Sequence, residues 1–249
     1  MNNEYVLIYD SGIGGLSILN ALDNKMQGAN FIYFGDNDNA PYGNVNEKRL
    51  FSMVLNNVLS VPYKIGLIVL ACNTLSVSIR KDLQNATGVE TIGVFPCVEN
   101  ELINANKTLL LGTPLTVSKV KEYNGLVKIG LSELAIDIER KIFNLDKLDL
   151  SNHFNDTSNY SINYIKNQKF NTVILGCTHY HFIENQIFNH FRPLKIASGN
   201  FFTVERVLKK YKNAKSLDKT KQNQILFFGK NAEYNKMVFE FFYKNRNKN

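Results

Sequence analysis

Short apolar, β-branched runs punctuate the chain at Tyr5–Tyr9, Phe31–Phe34, Ile65–Ala71, Thr108–Leu111 and Thr172–Leu175. Most lead through small or polar residues into amphipathic segments, at Leu16–Leu22, Thr74–Leu83, Val117–Tyr123 and Phe182–Phe188. Strand, loop and helix repeating in this order predict an α/β fold, a doubly wound parallel sheet with helices on both faces. Ligands of such sheets bind beyond the carboxyl ends of the strands. The loops to read are therefore Asp10-Ser11-Gly12-Ile13-Gly14-Gly15, Pro41-Tyr42-Gly43, Cys72-Asn73-Thr74, Thr113–Thr116 and Cys177-Thr178-His179.

Two of these loops share one grammar. Ile68-Val69-Leu70-Ala71-Cys72-Asn73-Thr74 and Val173-Ile174-Leu175-Gly176-Cys177-Thr178-His179 both run strand, small residue, cysteine, polar pair, at an offset of 105 residues. The pair Ser11 and Thr113 repeats at 102. Two related α/β halves are implied, with residues 1–92 plus 206–249 forming one domain and 93–205 the other. Packed face to face about a pseudo-twofold axis, such halves would bring both sulfurs to one cleft. Ile225–Tyr243 reads as strand then amphipathic helix that rejoins the first half. Leu145–Gln168, rich in Asn, Asp and Ser, reads as a surface connection, Tyr211–Gln224 as a linker or solvated helix, and Lys244–Asn249 as a frayed tail.

Composition narrows the class without choosing a function. Over 249 residues, 44% hydrophobic and 20% charged are values of a folded globular protein. The net charge of +7 suits an anionic substrate or a polyanion, and nucleic acid is not the expected partner. No apolar run approaches the roughly 20 residues of a membrane span, and the amino terminus lacks a secretory pattern, so a cytoplasmic protein is expected. Three cysteines at wide spacing match neither a disulfide framework nor a zinc site.

Cys97, beside Phe95, Pro96 and Val98, reads as a buried apolar residue. Cys72 and Cys177 instead end apolar strands and precede helices, where backbone N–H groups favour a thiolate. Asp10-Ser11-Gly12-Ile13-Gly14-Gly15 fits neither the dinucleotide fingerprint nor the P-loop, but it offers N–H donors for a carboxylate. Asp10 is open to two readings, helix N-cap or active-site group. His179 is a candidate to move a proton or polarise the neighbouring thiol, His181 reads as structural, and no metal is expected. Tyr42 is a turn residue whose backbone amide, with that of Gly43, could receive a carboxylate.

With these residues in hand, the chain resembles the glutamate racemases of the cofactor-independent aspartate/glutamate racemase family. Asp10-Ser11-Gly12-Ile13-Gly14-Gly15-Leu16, Pro41-Tyr42-Gly43, Ala71-Cys72-Asn73-Thr74 and Leu175-Gly176-Cys177-Thr178-His179 carry the likeness, in family order. The resemblance implies two doubly wound domains with the substrate between them. It implies Cys72 and Cys177 as acid/base residues on opposite faces of the α-carbon. Asp10, Ser11, Tyr42, Gly43, Asn73, Thr74, Thr178 and His179 would bind substrate, with Asp10 and His179 also tuning the thiols. Thr113, Thr116 and Glu139 are carried as auxiliary positions, although the family's Cys-Pro lead-in is missing before Glu139. The implied partner is glutamate, with no cofactor, and a homodimer is the one assembly kept open. Aspartate, in another racemase of the same superfamily, is the alternative substrate.

Overall fold

The computed structural model describes residues 4–102, 107–154, 168–214 and 220–244. They form two compact units, one from the described parts of Met1–Val94 and Asn200–Asn249, the other from those of Phe95–Gly199. The helix Asn200–Ala214 spans the expected 205/206 boundary and lies in the first unit.

The first unit is built on a parallel sheet of β1 (Tyr5–Asp10), β2 (Asn30–Gly35), β3 (Ile65–Leu70), β4 (Thr91–Gly93) and β9 (Gln224–Phe228), in the order β4-β3-β1-β2-β9. β1 is buried throughout, as a central parallel strand covered on both faces must be. β9 pairs with β2 at the edge, so the carboxyl-terminal strand does rejoin the first sheet.

The second unit holds β5 (Thr108–Gly112), β6 (Leu126–Gly130), β7 (Thr172–Gly176) and β8 (Lys195–Ser198), all parallel, in the order β6-β5-β7-β8. Read from its other edge, β8-β7-β5-β6 matches β4-β3-β1-β2 strand for strand. Register sharpens the match. Gly112 lies opposite Gly176, and Tyr9 lies opposite Leu70, which brings Asp10 level with Ala71. Ser11 thus corresponds to Thr113 and Cys72 to Cys177, at the sequence offsets of 102 and 105.

Several helices depart from the periodicity. Thr74–Leu83 is two helices, Asn73–Ser78 and Arg80–Thr87, parted at Ile79 with φ −124° and ψ 1°. The Ser76 hydroxyl donates to the Leu70 and Cys72 carbonyls, tying the first helix to its strand. In place of Val117–Tyr123, the helix runs Pro114–Lys119, because Thr113 caps it and proline suits a first helical position. Phe182–Phe188 becomes a 3₁₀ turn, Thr178–Ile183, followed by the helix Glu184–Phe191. The expected surface connection begins with 3₁₀ turns at Leu145–Lys147 and Leu150–Phe154, which bury Leu150 and Phe154; 155–167, 215–219 and 245–249 lie outside the described residues. The helix Glu47–Leu59, capped by the Asn46 side chain and burying Leu50, Val54 and Val58, escaped the sequence reading.

Candidate active site

Asp10, the last residue of β1, is fully buried, and its Oδ1 accepts the Gly12 N–H at 2.7 Å. The following helix begins only at Leu16, with Gly15 in the cap position and no side-chain cap bond. The N-cap reading of Asp10 is thereby corrected: the cap position falls to Gly15, and the Asp10 carboxylate accepts within its own loop. Gly15 is required by contact. A Cβ there would stand 2.7 Å from that of Ala71 and 2.9 Å from that of Asp10. From beneath, the buried Tyr33 hydroxyl donates to the Gly12 carbonyl at 2.6 Å. Ser11 is buried beside it.

At the end of β3, Cys72 keeps extended backbone and Asn73 opens the helix Asn73–Ser78. The Cys72 carbonyl accepts the Ser76 N–H at 3.0 Å, and the Asn73 side chain donates to the Val94 carbonyl at 3.4 Å. Cys72, Asn73 and Thr74 are all buried.

Tyr42 and Gly43 begin a 3₁₀ turn, Tyr42–Asn44. The Tyr42 ring is buried and its hydroxyl donates to the Asp36 carboxylate. Its oxygen lies 3.2 Å from that of Tyr9, which receives Asn57 Nδ2 at 2.7 Å. Burial raises both phenols well above the ordinary tyrosine value; for Tyr42 the charges of Tyr9 and Asp36 add to it. The side chain of Tyr42 therefore anchors its turn, and only its backbone remains for a ligand.

In the second unit, Thr113 and Cys177 leave the paired strands β5 and β7 at the same level, just past Gly112 and Gly176. Gly176 has no room for a side chain, since a Cβ would stand 2.8 Å from Leu110 Cδ1 and 2.9 Å from the Leu111 carbonyl. Thr113 Oγ1 accepts the Thr116 N–H at 3.3 Å and donates to Thr116 Oγ1 at 2.9 Å. Tyr180 is buried and donates to the Gly112 carbonyl at 3.3 Å. Thr178 is buried between the thiol and His179 in sequence.

Cys177 precedes a 3₁₀ turn, so the expected α-helix start is absent at this thiol. A histidine stands there instead. His179 Nδ1 lies 3.8 Å from Cys177 Sγ, and Nε2 lies 2.7 Å from Glu139 Oε1 on the helix Leu134–Arg140. Burial opposes charging the ring, but hydrogen bonds and charge from Cys177 and Glu139 outweigh it, and His179 holds its proton well above pH 6.5. A buried sulfur, a protonatable ring and an orienting carboxylate in one chain of contacts can pass or hold a proton.

Asp10, Ser11, Tyr42, Gly43, Cys72, Asn73 and Thr74 thus stand in the first unit, at or just beyond the carboxyl ends of β1, β2 and β3. Thr113, Thr116, Glu139, Cys177, Thr178 and His179 stand in the second. The sequence reading missed Asp36, Tyr9 and Asn57; an aspartate one glycine beyond the apolar run Phe31–Phe34 was the available signal. Cys97 packs with Val98, Leu110, Leu126, Ile174 and Ala197, and burial pushes its thiol up to about 11. His181 lies 3.6 Å from Glu184, the first residue of the helix that follows its turn. Among the described residues, no group of three His, Cys, Asp or Glu is placed to hold a metal, and no helix is long and apolar enough to cross a membrane.

A glutamate racemase of Buchnera aphidicola subsp. Schizaphis graminum is 32% identical to the chain over 251 residues, covering 94% of each. The fold superposes on a glutamate racemase isoform of Bacillus anthracis with a TM-score of 0.76 at 20% identity, over 100% of this chain and 96% of that one. The glutamate racemase of Francisella tularensis subsp. tularensis, solved in complex with D-glutamate, also gives 0.76 at 20% identity, over 98% and 95%. At such identity the two structural likenesses speak for the fold. No protein-family model matches the chain.

Proposed function

Since the chain belongs to the glutamate racemase family, we propose that it interconverts L- and D-glutamate with Cys72 and Cys177 as the two acid/base groups and no cofactor. One observation carries this reading. Four strands of the first sheet and the four of the second share one order, and just past the corresponding strand, β3 or β7, each unit carries a buried cysteine followed by a polar pair.

Inverting a stereocentre requires a base on one face of the α-carbon and an acid on the other, so a matched pair serves both directions. One sulfur takes the α-proton as a thiolate while the other, as a thiol, delivers its own proton to the opposite face. The carbanion-like intermediate needs electrostatic stabilisation. Ser11, Asn73, Thr74 and Thr178, with the amides of Tyr42 and Gly43, are the proposed donors to the substrate. A protonated His179 held by Glu139 would steady negative charge on the Cys177 sulfur, and Asp10 is the proposed tuning group for Cys72. Thr113 and Thr116 would support the Cys177 loop. D-glutamate made this way in the cytoplasm would supply peptidoglycan.

The test is incubation with L-glutamate in heavy water without added cofactor. Optical rotation should decay toward zero while deuterium enters C2, and Cys72→Ala and Cys177→Ala should each stop both. Turnover of L-aspartate but not L-glutamate would overturn the substrate, and normal racemisation by either cysteine variant would overturn the two-thiol scheme.

A further inference from the structure

Asp36 directly follows β2, is 9% exposed, and donates its backbone N–H to the Asp10 carbonyl at 3.1 Å. Its carboxylate is met by neutral donors. Tyr42 O–H and Asn57 Nδ2, the latter at 3.4 Å, donate to Oδ2, and Asn39 Nδ2 reaches Oδ1 at 2.9 Å and Oδ2 at 3.2 Å.

The Tyr42 hydroxyl donates to this carboxylate, and that sets the sense of the whole network. Tyr42 commits its single proton to Asp36. The Tyr9 hydroxyl, 3.2 Å from that of Tyr42, must then donate to it, and Tyr9 in turn accepts from Asn57 at 2.7 Å. The chain runs from Asn57 through Tyr9 and Tyr42 and ends on Asp36. Without Asp36 at its end, the Tyr42 proton loses its acceptor while the Tyr42 oxygen still faces that of Tyr9 at 3.2 Å, and a buried donor that loses its acceptor is costly. Its relief is a shift of the ring. Because Tyr42 and Gly43 belong to one three-residue turn, such a shift moves their backbone amides.

We propose that Asp36 is a positioning residue, which through the Tyr42 hydroxyl holds the Tyr42–Gly43 amides where they receive a substrate carboxylate. The inference rests on the reading of this turn as part of the glutamate site. Asp36 touches neither the substrate nor the reacting proton. Its loss weakens binding of the ground state and the transition state alike, which appears in KM and spares kcat.

Steady-state racemisation in both directions, with calorimetric titration of D-glutamate in parallel, tests this on the full chain. Asp36→Ala should raise KM and the dissociation constant about tenfold with kcat changed less than about threefold. Asp36→Asn, which keeps an acceptor for Tyr42, should bring both constants back to within about threefold of the unaltered protein. An unchanged KM in Asp36→Ala, or a loss confined to kcat, overturns the inference. Should Asp36→Ala lack the circular dichroism of the folded protein, Tyr42→Phe removes only the hydroxyl that Asp36 receives. The same rise is expected there, and its absence overturns the inference. If the unaltered protein binds D-glutamate without racemising it, the proposed function fails alone and the inference is decided on dissociation constants. If it does neither, both fail.

Discussion

His179 and Glu139, 40 residues apart in the chain, meet at 2.7 Å between Nε2 and Oε1, while the other ring nitrogen faces the Cys177 sulfur. A helix and a strand-end loop of the second unit thus combine in one proton-holding device.

That device has a pH signature. Burial opposes the imidazolium, yet Cys177 and Glu139 hold His179 well above 6.5. The folded state therefore binds this proton more tightly than the unfolded chain. The stabilisation is whole below about pH 6.5 and is lost as pH rises through the raised folded value. Glu139→Gln should cost about 2 kcal/mol near pH 6, the gap narrowing in alkali. It should also move the alkaline limb of the racemisation profile to lower pH. Thermal melts and rates across the same pH series check both, and a gap that widens with pH would contradict the sign.

Cys97 provides the contrast among the thiols. It is packed into the core of the second unit with its thiol pushed up to about 11 by burial. Cys97→Ala should cost about 1 kcal/mol of stability through a small cavity. Racemisation should stay within about twofold of the unaltered protein, whereas loss of Cys72 or Cys177, the proposed acid/base thiols, is expected to cost at least about 100-fold. Urea melts and initial rates decide it.

Two glycines separate steric from backbone requirements. Gly15→Ala would push a methyl against Ala71 and Asp10, costing about 1–3 kcal/mol and displacing the Asp10 loop, so activity should fall with stability. Gly88 has φ +65° with open space around its added Cβ. Gly88→Ala should cost about 1–2 kcal/mol from the left-handed backbone alone, with kcat/KM unchanged. Denaturation midpoints set beside kcat/KM for the two variants show whether the effects divide this way.

The central strands were legible because each is a continuous apolar run, and the repeat was legible because the same order of residue types recurs at the Cys72 and Cys177 loops. Edge strands β4 and β8 are three and four residues long, too short for a distinctive pattern. The break at Ile79 was hidden because an apolar residue there suits a continuous helix as well as an interrupted one. Glu139 was carried only by family likeness, since nothing near it in sequence points to a histidine 40 positions away.

The linear order of apolar and polar residues determined by itself that this is a repeated parallel α/β protein with a cysteine at the end of each corresponding strand. Burial of alternating strands and helices is a property of local runs, and local runs can be read directly. Only the tertiary structure decided that Tyr42 turns its hydroxyl inward to Asp36, that Asp10 folds a loop instead of capping a helix, and that His179 joins Cys177 to Glu139. Those outcomes depend on side-chain hydrogen-bond geometry at a scale of about 3 Å, between partners from two to 40 positions apart, and hydrophobic periodicity carries no information at that scale.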